Sequence, residues 1–516
     1  MLALLLLACH PVTVQVPPGP RAGVAADHLL ASEAGAEVLR KGGNAVDAAI
    51  AAALSSGVVQ PSGSGLGGGG FALVVTPEGK ASFLDFREVA PASASRDMYG
   101  SGGSSTKGGL AVAVPAEGIG LAELHRRWGR ADLATIAAPA IDQAREGFPT
   151  GSHLAEALLQ VPMPGLFAEG NRRPGLASAL EAWRDSDGAA FRTGWVAQDL
   201  VDSANAAGGR LTLGDLAAYT VKERAPLSVA WRGHTVWTAP PPSFGGIALV
   251  EMLGATRGEA TLPCQVEAAK HAMAQRAAVG GDPDYTPVPV AALTSPAFLD
   301  QIRADCTGRT YPPDHYATAA PAPADAGTLH ISVIDRDGMA VALTTTINTG
   351  FGSGVIATKS GIVLNNEMDD FAANPGVPNA YGLVQGEANA IAPGKRPLSS
   401  MSPTVVVDAK GRPVMAVGAS GGPFIITATF QVLQAVMGEG LSVTDALAMP
   451  RWHHQWMPDV ATIEVGFPGR AELEAAGHVT REIPKPFCSV QAVVRTASGV
   501  DAGADPRKGG RAVLVE

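Results

Sequence analysis

Apolar and polar positions alternate in blocks along this chain. From Ala26 to Lys41 apolar residues recur at helical spacing, and Gly42-Gly43 closes the run, so the pattern predicts a helix. Asn44 stands as an N-cap before a second helix, Ala45 to about Leu54, in which nearly every residue is Ala, Ile or Val. A helix apolar on all sides is a buried one. Gly63 to Gly70 is a glycine-rich loop, and Phe71-Ala72-Leu73-Val74-Val75 reads as a strand. Residues 118–147 and 152–205 return to helical spacing. Residues 210–260 mix turn and strand, with Pro240-Pro241-Pro242 as a stiff marker, and residues 265–305 read as helix again. Residues 308–327, rich in Pro, Ala and Asp, read as an exposed, poorly ordered stretch. Beyond them the period falls to that of strands. His330 to Ile334 and Ala340 to Thr346 flank Asp335-Arg336-Asp337-Gly338, where Asp337-Gly338 is a strong hairpin signal. Strands follow at Val405–Asp408 and Val414–Val417, then a helix from Phe424 to Met437 and another from near Ser442. No internal repeat is visible. The pattern alone supports a mixed α+β class.

Composition narrows this only a little. The 516 residues allow two or three domains, or one large sandwich. Hydrophobic residues at 46% and charged residues at 17% are an ordinary globular balance. A net charge of −10 without a dense Lys/Arg run argues against a nucleic-acid partner. The N-terminus, Met1-Leu2-Ala3-Leu4-Leu5-Leu6-Leu7-Ala8-Cys9, looks like the end of a bacterial lipoprotein signal with Cys9 as the lipidated residue. It lacks the basic residues expected ahead of the apolar run, which a start codon placed too far downstream would explain. The expectation is an exported protein, periplasmic or anchored to the outer membrane through Cys9. No later apolar run reaches the roughly 18 residues of a membrane helix. Cys264, Cys306 and Cys488 show no metal-binding spacing. Cys264 and Cys306 are able to pair in an oxidising compartment, and free thiols fit equally well.

The chemistry concentrates after Gly327. Thr328 opens the strand Leu329-His330-Ile331-Ser332-Val333-Ile334, and Thr344-Thr345-Thr346-Ile347-Asn348-Thr349-Gly350 follows close behind. Then comes Asn365-Asn366-Glu367-Met368-Asp369-Asp370-Phe371. A threonine hydroxyl is a poor nucleophile unless a base stands beside it. Cutting the chain just before the threonine supplies one, because an α-amino group has a reference pKa of about 7.7–8.0.

These segments resemble the γ-glutamyltranspeptidase family of N-terminal-nucleophile hydrolases. The likeness also takes in Gly42-Gly43-Asn44-Ala45-Val46-Asp47-Ala48-Ala49, Asp85-Phe86-Arg87-Glu88 with Ala90-Pro91, and Lys395-Arg396-Pro397-Leu398-Ser399-Ser400-Met401-Ser402-Pro403-Thr404. It ends with Ser420-Gly421-Gly422, Pro450-Arg451-Trp452-His453-His454-Gln455-Trp456 and Asp505-Pro506-Arg507. The resemblance implies a four-layer αββα sandwich. After a leader and Pro-rich linker, 1–22, it implies a large subunit, 23–327, and a small one, 328–516, that together form one unit. The precursor would cut itself between Gly327 and Thr328. Thr328 would then take the γ-glutamyl group of glutathione or a related donor and pass it to water or to an amino acid or peptide acceptor. The resemblance gives Gly421 and Gly422 as the oxyanion pair and Thr346 as the threonine that hydrogen-bonds the nucleophile. Arg87, Ser399 and Ser400 would hold the donor's α-carboxylate, and Asn348, Glu367 and Asp370 its α-ammonium. It implies no metal and no organic cofactor.

Plainer readings compete at several positions. Arg87 also fits a structural ion pair with Asp85 or Glu88, and Glu367 with Asp370 a solvated acidic turn. Gly65, Gly67 and Gly70 satisfy a dinucleotide-loop spacing, but a helix precedes and a strand follows, the reverse of what that loop needs. Asp335 and Asp337 lack the other ligands of a calcium loop. Adjacent His453 and His454 have no third ligand and read as structural. Leu329 stands where the family often has a second threonine, and Pro375 to Lys395, with Tyr381, has the character of a lid loop. Two other functions remain in view: a related amidase, cephalosporin acylase-like or acting on poly-γ-glutamate, and a silent peptide-binding lipoprotein. Glutaryl substrates lack an α-amine and would gain nothing from Glu367 plus Asp370.

Overall fold

The computed structural model describes residues 19–516 apart from 101, 258–259, 317–326, 373–385 and 486–487. Two large sheets lie face to face. The first contains β1 (Ala22–Ala26), β2 (Gly69–Val75), β3 (Ala81–Phe86), β4 (Lys222–Arg224), and, after β5 (Leu227–Trp231) and β6 (His234–Thr238) of the second, β7 (Leu329–Ile334) and β8 (Ala340–Thr346). The second continues with β9 (Thr404–Val407) and β10 (Pro413–Ser420). A three-stranded sheet, β11 (Trp452–His453), β12 (Ala461–Glu464) and β13 (Thr480–Ile483), stands apart from both. β14 (Ser489–Thr496) and β15 (Gly499–Ala504) complete the second sheet and β16 (Arg511–Val515) the first. Their orders are β16-β1-β7-β8-β2-β3-β4 and β15-β14-β10-β9-β6-β5.

Helices cover both outer faces. α1 (Leu29–Arg40), α2 (Ala45–Val59), α3 (Glu117–Trp128), α4 (Leu133–Glu146), α5 (Ser152–Gln160), α6 (Pro174–Asp185) and α7 (Trp195–Ala206) form the layer outside the first sheet. After the short α8 (Leu213–Ala218), α9 (Gly245–Thr256), α10 (Leu262–Val279), α11 (Val290–Leu293), α12 (Pro296–Ala304) and α13 (Phe424–Leu433) lie outside the second. α14 (Val443–Ala448) and α15 (Arg470–Ala475) are short additions. The strand period of two explains the layering. Ala72 and Val74 face the helical layer while Phe71, Leu73 and Val75 face the second sheet, and Val341 and Leu343 divide from Ala340 and Ala342 in the same way. Each sheet is therefore apolar on both sides, and the result is an αββα sandwich, an N-terminal-nucleophile hydrolase fold.

Several elements differ from the expectation, each for a physical reason. The helix expected from Ala26 begins at Leu29, capped by His28, because Ala22–Ala26 is a central strand paired to both β16 and β7. A five-residue apolar run carries no period that separates strand from helix. α2 runs on to Val59, past Ser55-Ser56-Gly57. Ser55 Oγ donates to Gln143 Oε1 at 2.7 Å, and Gly57 lets the Gly65 backbone approach. Residues 210–260, expected as turn and strand, end in helix α9, which is buried almost all round and so shows no amphipathic stripe. The expected single helix from Phe424 to Met437 changes at Gln434 into a π-helical turn. The Asp335 to Met339 hairpin is present. Asp335 Oδ1 accepts the N–H groups of Asp337, Gly338 and Met339, and its Oδ2 accepts Ala45 N at the start of α2. Both carboxylate oxygens are thus engaged by backbone.

Cys264 and Cys306 form a disulfide, and Cys488 is a buried free thiol. Among the described residues no helix is long and apolar enough to cross a membrane. Cys9 and Tyr381 lie outside the described residues.

Candidate active site

The β7–β8 hairpin sets the site. Leu329 pairs with Thr345, so Thr328, one residue before the strand, lies across from Thr346 at the hairpin's open end. Their hydroxyls are 3.2 Å apart. Thr328 Oγ1 also donates to the carbonyl of its own neighbour Gly327, and Thr346 Oγ1 donates to the same oxygen at 3.2 Å. The hydroxyl is thus held against the peptide bond that joins it to Gly327. Asn348 N donates to Thr346 Oγ1 at 2.8 Å, and Gly327 N donates to Asn348 O at 3.0 Å. Asn348 has a φ of 74°, a left-handed conformation that asparagine tolerates better than most residues. Lys508 Nζ donates to Thr328 O at 3.0 Å and to Ser420 Oγ at 2.9 Å.

Opposite the hydroxyls is a charged cluster. Arg87 follows β3 directly, and its side chain pairs with Glu367, with Asp370 at 2.5 Å, and with Glu88 at 3.8 Å. Asp85 does not take that guanidinium. It binds Arg224 at 2.7 Å and Arg396 at 3.1 Å, and accepts the backbone N–H of Arg87. Glu367 and Asp370 belong to one 3₁₀ turn, which buried Asn365 braces by accepting Glu367 N and Ala113 N. The turn is not a solvated acidic one, since Glu367 is fully buried and Asp370, partly exposed, is paired to Arg87.

Burial alone disfavours charge on Arg87, but Glu367, Asp370 and Glu88 outweigh it and hold the guanidinium protonated well above its ordinary range. Burial pushes Glu367 and Asp370 up, against the downward pull of Arg87. Glu88 is pushed up to about 8 by burial, with Arg87 opposing. Burial thus opposes charge on all three carboxyls, and a further cation beside them would favour their ionised forms.

Ser399 and Ser400 come from the turn before β9. Ser399 N donates to Pro242 O at 3.0 Å, which seats the turn on the Pro240-Pro241-Pro242 segment. Arg276, from α10, donates Nε to Ser400 Oγ at 3.1 Å. Its Nη1 makes no hydrogen bond among the described residues, and burial lowers its pKa to about 10. Gly421 and Gly422 join β10 to α13 with φ values of 145° and 57°, where an L side chain is strained. They stand at the positive end of α13, and backbone N–H groups there suit an oxyanion.

One cleft, open to solvent, brings together Arg87, Thr328, Thr346, Asn348, Glu367, Asp370, Ser399, Ser400 and Gly422. Arg276 lines it too, and Lys508 stands behind Thr328; neither was read from the sequence. Arg276 is a single basic residue without a local motif, and Lys508 directly follows the Asp505-Pro506-Arg507 run. His453 and His454 lie elsewhere as buried structural groups, bound to Thr427 Oγ1 and Asp459 respectively. The glycines of 65–70 form a tight packing turn. A Cβ on Gly68 would sit 1.9 Å from Thr346 O.

A profile of the gamma-glutamyltranspeptidase family matches residues 31–515. The chain is similar to a glutathione hydrolase proenzyme of Escherichia coli (strain K12), with 38% identity over 94% of this chain and 90% of that protein. It is similar also to a glutathione hydrolase proenzyme of Pseudomonas aeruginosa, 37% identical over 96% of this chain and 94% of the relative. Among solved structures it resembles a cephalosporin acylase from Bacillus halodurans, with a TM-score of 0.84, 27% identity and 100% of both chains covered.

Proposed function

The chain belongs to the gamma-glutamyltranspeptidase family, and on that footing we propose a glutathione hydrolase and γ-glutamyltransferase whose nucleophile is Thr328, freed by self-cleavage after Gly327. One observation carries the reading: the Thr328 hydroxyl shares a cleft with the Arg87, Glu367 and Asp370 cluster. In maturation Thr328 Oγ adds to the Gly327 carbonyl carbon, the C–N bond breaks, and the nitrogen takes a proton to become an amine. Water then splits the ester, leaving Gly327 as a carboxylate and restoring the hydroxyl.

In turnover the new α-amine takes the hydroxyl proton, and Oγ attacks the γ-amide carbon of the donor. Thr346 fixes the hydroxyl's direction. Gly421 and Gly422 offer N–H groups to the oxyanion. The leaving amine departs with a proton, and water or an acceptor amine resolves the γ-glutamyl ester. Arg87, Ser399 and Ser400 are assigned to the α-carboxylate, and Asn348, Glu367 and Asp370 to the α-ammonium. An arriving ammonium would favour the ionised form of the three carboxyls that burial pushes up. That interaction favours glutamyl over glutaryl donors. The disulfide and the apolar start ending in Cys9 support export to an oxidising compartment.

Intact mass of the purified protein beside Thr328→Ala tests the proposal. The expected result is two fragments, the smaller starting at Thr328, in the wild type, and a single 52.5 kDa chain, less any processed leader, in the variant. An uncut wild type would remove the nucleophile assignment.

A further inference from the structure

A second cluster of chemistry-bearing side chains lies outside the cleft. His271 is on α10, Asp305 directly follows α12, and His315 ends the 3₁₀ turn Pro313–His315. Nε2 of each imidazole is 2.8 Å from Asp305 Oδ2, and one ligand atom from each residue lies within 4.8 Å of the other two. None of the three lines the candidate active site.

The surroundings hold each ligand in place. The Cys264–Cys306 disulfide ties the residue after Asp305 to the first turn of α10, the helix that carries His271. The Tyr311 ring stacks on His315 at 4.3 Å, and Tyr316 meets His271 edge-on at 4.8 Å. Trp456 Nε1 donates to Pro313 O at 2.9 Å and fixes the turn that carries His315. His271 and His315 are both partly exposed, which leaves a route for an ion.

We propose that His271, Asp305 and His315 form a three-ligand site for a borderline divalent cation of the zinc class, with water as fourth ligand. Two imidazoles and one carboxylate suit such an ion, whereas magnesium and calcium take mostly oxygen. Metal bonds of about 2.0–2.2 Å in a tetrahedron set ligand atoms roughly 3.3 Å apart, so the 2.8 Å pairs open by about half an ångström to admit it. Lys270, next to His271 on α10, is committed to Thr310 Oγ1, Tyr311 O and Asp459. The role is structural. An ion here fastens the turn at 313–315, upstream of Gly327, onto α10 and α12. The residues come from three separate elements, which is why no ligand spacing shows in the sequence.

The test uses tag-free full-length protein stripped with a chelator, then titrated with Zn²⁺ and, separately, Co²⁺. Expected are one Zn²⁺ per chain by elemental analysis, the visible absorption of four-coordinate Co²⁺, and a raised Tm. His315→Gln and Asp305→Asn should each weaken Zn²⁺ binding by at least about tenfold while γ-glutamyl hydrolysis stays unchanged, which also shows that the variants fold. The wild-type Co²⁺ spectrum decides the matter if a variant fails to fold. The proposal falls if the wild type binds no ion, or if both variants bind Zn²⁺ as tightly as it does. In either case the cluster is two imidazole N–H groups hydrogen-bonded to one carboxylate.

Discussion

Ser400 shows how much one side chain depends on another. Its oxygen accepts from Arg276 Nε, so its own hydrogen is left for the α-carboxylate that the proposed function assigns to it. Arg276→Met removes that orientation and the guanidinium's charge from the cleft without touching Thr328. The expected effect is a KM for the γ-glutamyl donor raised roughly tenfold to a hundredfold with kcat little changed, from the loss of about 1.5–3 kcal/mol of charge-assisted hydrogen bonding. A steady-state comparison checks it, and a fall in kcat at constant KM would contradict the binding role. The contrast with Arg87 explains what the sequence discloses at this scale. Arg87 stands beside Asp85 and Glu88 in a run that carries the family likeness. Arg276 lies in no such run and enters the site only because helix α10 folds back onto it.

Helix α3 carries a consequence that can be measured. Glu117 is its first residue, where the helix dipole favours the anion. Burial wins nonetheless and pushes its carboxyl from 4.5 up to about 8, against hydrogen bonds from Ser64 and the Gly65 backbone. The folded protein thus keeps a proton that the unfolded chain releases. The group's contribution to stability is complete below about pH 4.5 and is lost as pH rises through about 8. Glu117→Gln should flatten this part of the stability profile by up to roughly 4 kcal/mol, read from urea unfolding across the same range. Parallel curves for the two proteins would refute it. Other elements differ in how plainly they could be read. The β7–β8 hairpin was legible because Asp337-Gly338 marks its turn between two short runs rich in β-branched residues. α9 was not, because it is apolar on every side and opens with glycines. Gly246 packs so close to β6's exit that a Cβ would sit 1.8 Å from Ala239 O. A residue chosen for close approach looks, in sequence, like a residue chosen for a turn.

At the level of the whole molecule, the bond before Thr328 does not divide the structure into two bodies. In the first sheet, β1 from the earlier segment lies between β16 and β7 from the later one, and β8 from the later segment pairs with β2 from the earlier. In the second sheet, β6 pairs with β9 across the same division. Cutting between Gly327 and Thr328 therefore breaks one peptide bond and leaves the pairing between the segments in place. Each segment alone would expose the inner edge of a sheet and both apolar faces of its strands, which invites aggregation. Cleaved wild-type protein should elute as one species in native gel filtration and separate only in denaturant. Residues 23–327 and 328–516 produced apart should be insoluble or unfolded, and produced together should recover the native elution position. A soluble 328–516 fragment with slow amide exchange in β7 and β8 would overturn this, because those strands would then be stable without β1 and β2 beside them.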